Sequence, residues 1–140
     1  MMLLDVGVWL AAVSSGHMHH VTVAAWFQEQ PGGLVMCRVT QMSLLRLLSN
    51  PAVMGDASLT RRAAWDVIDQ LRADERIGWA QEPAHLELLW RSISARDDRS
   101  HKLWTDDYLA AFAQAAGASI VTLDRGFAQR YPAARVTVLS

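Results

Sequence analysis

Asp5, Asp106 and Asp124 are the residues whose type and placement can do chemistry. Asp5 lies at the end of the apolar run Met1 to Val6, and Asp124 closes the run Ser119 to Leu123. Asp106 opens a helical pattern in which Leu109, Phe112, Ala113 and Ala116 recur at i, i+3, i+4 and i+7. It precedes Leu109 by three residues and Ala113 by seven, so it shares their inward stripe. An acid at a helix start and acids at strand ends can face one cleft. Carboxylates brought together repel, and each pKa rises unless a cation balances them. Oxygen ligands suit Mg²⁺, with Mn²⁺ as the alternative ion. Such an ion activates water and neutralises charge on a phosphodiester, so the chemistry in view is metal-assisted hydrolysis.

The neighbouring candidates are weaker. Asp107 is turned about 100° from Asp106 on the same helix, and its simplest role is favourable charge at the positive end of the helix dipole. Asp106 fits that role less well, because an inward acid on an apolar stripe needs a partner to offset desolvation. Thr122, two residues before Asp124, is either an ordinary strand residue or a hydroxyl that orients a metal-bound water. Arg96, Arg99, Lys102 and Arg125 flank the acids in sequence. They read as solvated loop residues or as phosphate contacts. Arg46 is a more distant candidate of the same kind. His17, His19 and His20 match no closed zinc spacing and read as a helix face or a substrate-side surface. The tryptophans read as core or interface.

Positioning these groups requires strands alternating with helices. Met1 to Val6 reads as a first, central strand, followed by a helical stretch from about Val8 to Gln30 broken near Ser14–Gly16. Pro31-Gly32-Gly33 is a turn. Leu34 to Val39 is a second strand, and Thr40 is expected to cap a helix ending at Asn50-Pro51. Pro51 to Ser58 is expected as loop. Helices over Thr60 to Ala73 and Pro83 to Ser94 bracket a short strand, Ile77 to Ala80. A polar loop, Arg96 to His101, leads to the Asp106 helix, which Thr105 is expected to cap and Gly117 to end. The strand to Leu123, a turn at Arg125-Gly126 and a last strand, Arg135 to Leu139, complete the chain. Strands alternating with helices imply parallel βαβ units. Ligands then sit beyond the carboxyl ends of the strands, where strand order reverses. Asp5 and Asp124 both occupy such ends.

Composition narrows the class. The 140 residues are expected to form one domain, 1–140, and a 51% apolar content suits a packed core. A formal net charge of −1 provides no bulk field for nucleic acid, so any RNA contact must be local. One cysteine, Cys37, excludes an internal disulfide and fits a reducing, cytoplasmic compartment. No run is long enough to span a bilayer. A phosphoacceptor receiver domain would need a paired-acid cluster after strand one and a Lys after the last strand, and Lys102 lies upstream of strand four. A DxD phosphatase fails because Gly7 follows Asp5 at the second position.

At these residues the chain resembles the PIN-domain ribonucleases of the VapC toxin type. The blocks are LLDVGVWLA at 3–11, HMHHVTVAAWF at 17–27, CRVTQMSLLRLLSNP at 37–51 and TDDYLAAFAQAAGASIVTLDRGF at 105–127. The last is the most specific, pairing a helix-opening Asp with a TxD strand end and a following Phe. The resemblance implies a PIN-like three-layer α/β/α sandwich around a central parallel sheet. It also implies Mg²⁺-dependent RNA cleavage, with Asp5, Asp106 and Asp124 as catalytic metal ligands, neutralisation by a cognate VapB-type antitoxin, and a homodimer. Two positions depart from the family pattern. Gly7 stands where a polar residue, often Asn, is usual. Gln41 or Ser43 stands where the helix after strand two commonly carries Glu. A neutral amide can still position a water, but it adds no charge. A catalytically weakened PIN-fold protein that binds RNA or antitoxin is the rival expectation.

Overall fold

A computed structural model describes all residues, 1–140. Five short strands form one parallel sheet: β1 (Met2–Leu4), β2 (Leu34–Met36), β3 (Ile77–Trp79), β4 (Ser119–Thr122) and β5 (Val136–Val138). Their order is β3-β2-β1-β4-β5. The order therefore reverses between β1 and β4, which pair in parallel with Leu3 opposite Ile120 and Leu4 opposite Val121. That junction is where an open parallel sheet leaves a crevice for a ligand.

The pleat sends alternate side chains to opposite faces. Leu4, Leu34, Met36 and Val121 face one layer, formed by α1 (Val6–Val13), α2 (His20–Glu29), α3 (Arg38–Leu48) and α5 (Arg61–Ala73). Leu3, Val35 and Ile120 face the other, formed by α6 (Leu86–Ser94), α7 (Trp104–Ala116) and α8 (Phe127–Arg130). Strands buried on both faces read as continuous apolar runs, as β1 and β2 do. The result is the expected α/β/α sandwich.

Several local expectations are corrected. The segment after Asn50 is not loop: α4 (Pro51–Met54) and a 3₁₀ turn, Gly55–Ala57, occupy it. Asn50 accepts a hydrogen bond from the Ala52 N–H at 2.9 Å, and Pro51 sits at the first helical position, where its missing N–H is harmless. Thr40 does not occupy the cap of α3. Cys37 does, and the Thr40 hydroxyl reaches back to accept from the Cys37 N–H at 3.1 Å. Thr105 does not cap α7 either, since the helix begins at Trp104 with Leu103 in the cap position. Gly117 ends that helix as expected, with φ 65°, a left-handed backbone that favours glycine. The helix expected from Pro83, α6, starts at Leu86. The turn after Asp124 continues into α8, which was not anticipated.

Candidate functional site

The β1–β4 junction brings Asp5 and Asp124 to one end of the sheet. Asp5 leaves β1 and caps α1, accepting from the Val6 N–H at 2.7 Å. Its other carboxylate oxygen accepts from the Thr122 hydroxyl at 3.0 Å. The same hydroxyl oxygen accepts from the Asp124 N–H at 3.1 Å. Thr122 is fully buried, so it is more than a strand residue: it ties the two strand ends together through one oxygen. Asp124 Oδ1 accepts from the Gly126 N–H at 2.9 Å, which fixes the turn toward α8.

Asp106 reaches the same place from the first turn of α7. Burial pushes its pKa up to about 6, and the charge of Asp5 pushes in the same direction. Asp5 is also raised, chiefly by burial, against the opposing bonds from Thr122 and Val6. Asp124 is lowered because the Arg130 guanidinium bonds directly to it. Arg130 is the residue that sequence reasoning missed. Its Nη2 donates to Asp124 Oδ2 at 2.5 Å and to Asp106 Oδ2 at 3.2 Å. Its guanidinium lies 5.8 Å from the Phe127 ring centre and 5.7 Å from that of Tyr131. The available signal was an Arg six residues after the strand-end acid, on a segment that folds back over it.

The acids do not close into a ready-made cage, because no three acidic side chains form a metal-holding group. Arg130 bonds one carboxylate oxygen of Asp106 and one of Asp124. The donor chemistry nonetheless fits a hard divalent ion. The ligand oxygens come from carboxylates and a hydroxyl, and mutual repulsion among the acids calls for positive charge, here supplied by a guanidinium.

A PIN domain model matches residues 2–131. Ribonuclease VapC41 of Mycobacterium tuberculosis is 44% identical over 135 residues, covering 92% of each chain. The chain belongs to the PIN domain family, among its VapC-type ribonucleases. Ribonuclease VapC39 of the same organism is 34% identical over 140 residues, covering 98% of each chain. Among solved structures, VapC20 of M. tuberculosis, a Sarcin-Ricin loop cleaving toxin, superposes with a TM-score of 0.71 over 100% of both chains at 18% identity. VapBC2 of Rickettsia felis, bound to a promoter DNA fragment, gives 0.72 over 99% of this chain and 98% of that one at 12% identity. These structural likenesses establish the PIN fold.

The remaining expected positions of this PIN domain divide. Gln41 is buried and accepts from Arg38, whose guanidinium lies 4.7 Å from the Trp79 ring centre. Its amide is thus committed to a neighbour on its own helix. Ser43 is half-buried on the same helix. Gly7 is not demanded by packing, since a Cβ there would meet only Leu123 Cδ1, at 4.0 Å. Arg96 and Arg99 line a cleft with Arg130, whereas Arg46, Lys102 and Arg125 are exposed outside it. Asp107 has a definite partner, the Tyr131 hydroxyl, which donates to it. It therefore joins α7 to the residue following α8 and does more than complement the helix dipole. Tyr131→Phe should lower stability by about 1 kcal/mol, the scale of one hydrogen bond, and Asp107→Asn should have a similar effect. Both should retain far more RNA cleavage than Asp106→Asn. Chemical denaturation and a gel assay on the three variants measure this ranking.

Proposed function

We propose that the chain, acting as one PIN domain over residues 1–140, is a divalent-metal-dependent endoribonuclease toxin. In this reading Asp5, Asp106 and Asp124 are its metal ligands, directly or through water. The observation that carries it is the meeting of Asp5 and Asp124 at the sheet's reversal point, joined by Thr122 and faced by Asp106. Membership among VapC-type ribonucleases supplies the reaction class. Mg²⁺ is the expected ion and Mn²⁺ a working substitute. When bound, the ion would lower the pKa of a water and neutralise charge on the phosphodiester.

The protein's own groups prepare that chemistry. Thr122 and the Val6 N–H hold the Asp5 carboxylate in one orientation. The Gly126 N–H holds Asp124. Asp106 must lose its proton to serve as a ligand, so divalent-ion affinity should weaken as pH drops through about 6. Arg130 keeps a positive charge beside the reacting phosphate. A VapB-type antitoxin is the proposed neutralising partner, RNA the substrate, a homodimer the assembly and the cytoplasm the compartment. No helix of the chain is long and apolar enough to cross a membrane.

A weakened binding protein is the second reading, favoured by one observation: Gln41 is neutral, buried and tied to Arg38. RNA cleavage by the purified chain decides between them. Cutting in Mg²⁺ or Mn²⁺ that stops in EDTA supports the enzyme. RNA binding with no cutting in either ion supports the binder. Thr122→Val gives a finer test, since it removes the donor to Asp5 and leaves the Asp124 N–H unpaired. It should lower stability by about 1–3 kcal/mol and reduce cleavage. Thr122→Ser, which restores the hydroxyl, should recover most of the activity.

A further inference from the structure

Beside the acids, the surface opens into a cleft of about 580 Å³ that shares Asp107, Arg130 and Tyr131 with the site just described. Arg96, Arg99 and Trp104 also line it. Trp104 is a large aromatic left 56% exposed. It is nevertheless held in place. Its ring meets Trp90 edge-to-face at 6.4 Å and 81°, and Trp90 meets Tyr108 edge-to-face at 5.3 Å and 89°. This aromatic ladder orders the indole before any ligand arrives, which reduces the entropy lost on binding.

The cationic side of the cleft is equally available. The Arg96 guanidinium donates only to the Ile93 carbonyl, at 3.0 Å, and neither Arg96 nor Arg99 takes part in any of the three ion pairs of the chain. Asp98, in the same lining, accepts from the Ser100 N–H at 3.0 Å. With a net charge of −1, the protein offers no general attraction to polyanions, so two unpaired guanidinium groups here are a local feature. A fixed indole face next to free guanidinium groups suits a single strand, whose bases stack while its phosphates meet Arg. A base inside a duplex already has both faces covered.

We infer that this cleft holds an unpaired RNA nucleotide next to the scissile phosphate, its base stacked on Trp104 and its flanking phosphates met by Arg96 and Arg99. The inference rests on the ribonuclease reading above and adds which residues hold the nucleotide beside the cut. The test uses the full chain in EDTA, so that binding is read without cleavage. The probe is a single-stranded oligouridylate carrying an internal 2-aminopurine. Binding should quench the probe. Trp104→Ala should weaken binding roughly tenfold or more and abolish the quench, and Trp104→Phe should retain most of both. Arg96→Ala and Arg99→Ala should keep the quench while each flattens the dependence of log K on log salt by about 0.7.

The inference is overturned if Trp104→Ala binds and quenches like the wild type, or if a fully paired hairpin binds as tightly as the single strand. It is also overturned if poly-glutamate competes as well as oligouridylate, which would assign the cleft to an acidic polypeptide. A parallel cleavage assay in Mn²⁺ separates the two levels. Cutting by a wild type whose binding ignores Trp104 removes only the cleft assignment. A wild type that neither binds nor cuts RNA removes the ribonuclease reading and this inference together.

Discussion

Asp5→Asn, Asp106→Asn and Asp124→Asn are each expected to lower RNA cleavage by about 10²–10³-fold, with the fold intact by circular dichroism. The magnitude follows from a bound ion contributing several kcal/mol to transition-state charge, at about 1.4 kcal/mol per tenfold in rate. Stability separates the three. Asp106 has a folded pKa of about 6 against an ordinary value of 3.8, so the folded protein holds this proton more tightly than the unfolded chain. Its contribution to stability is therefore fully present below the unfolded pKa and lost as pH rises through the folded one. At neutral pH in EDTA, Asp106→Asn should melt above the wild type, by roughly 1–3 kcal/mol, and the gain should vanish below about pH 4. Asp124 is shifted the opposite way by Arg130. It contributes stability above its unfolded pKa that is lost as pH falls, so Asp124→Asn should gain nothing at neutral pH. Melting curves from pH 4 to 8, beside a gel-based rate, measure both. Equal melting behaviour in the two variants would show that burial and the charge of Asp5 do not raise the Asp106 carboxyl in the folded protein.

The second large effect concerns Arg130. Its guanidinium takes one carboxylate oxygen of Asp106 and one of Asp124, the two acids proposed as metal ligands, and its charge opposes a cation placed between them. Arg130→Gln should therefore tighten Mn²⁺ binding roughly tenfold, equivalent to about 1.4 kcal/mol, as read by the loss of the free-ion signal in electron paramagnetic resonance. In EDTA the same variant should be less stable by up to about 1 kcal/mol, the scale of a partly exposed ion pair. Added Mn²⁺ should more than recover that loss, because the ion binds the folded state. Cleavage should fall even though metal binds better, since the charge beside the phosphate is gone. Weaker Mn²⁺ binding in Arg130→Gln would mean that the guanidinium organises the acids for the ion and does not compete with it.

Much of this site was legible in the sequence because its acids sit at places that local patterns mark. Asp5 and Asp124 end apolar runs, and Asp106 falls on the stripe of Leu109 and Ala113; in the structure they stand at the end of β1, just after β4 and in the first turn of α7. Alternating strands and helices gave the layered parallel sheet, and the β1–β4 reversal supplied the convergence. Arg130 was not legible because α8 is only four residues long, too short to show a period, and its contacts to Asp106 and Asp124 depend on how the turn at Gly126 folds back. The Tyr131–Asp107 bond is hidden for the same reason. Caps are ambiguous where side chains of similar type compete: Thr40 has the side chain of a cap for α3, yet the chain enters that helix at Cys37 and uses Thr40 from inside the first turn. The Asn50-Pro51 pair marks the end of one helix, and the same two residues suit the start of the next.

The central claim is that Asp5, Asp106 and Asp124 share one divalent ion. Crystals of the full chain grown with Mn²⁺ test it directly, through the anomalous difference map. One strong peak is expected at the β1–β4 junction, in contact with Asp5, Asp106 and Asp124 directly or through water, with Arg130 turned away from Asp124. No peak there at saturating Mn²⁺, or a peak elsewhere with Arg130 still bonded to both acids, would contradict it.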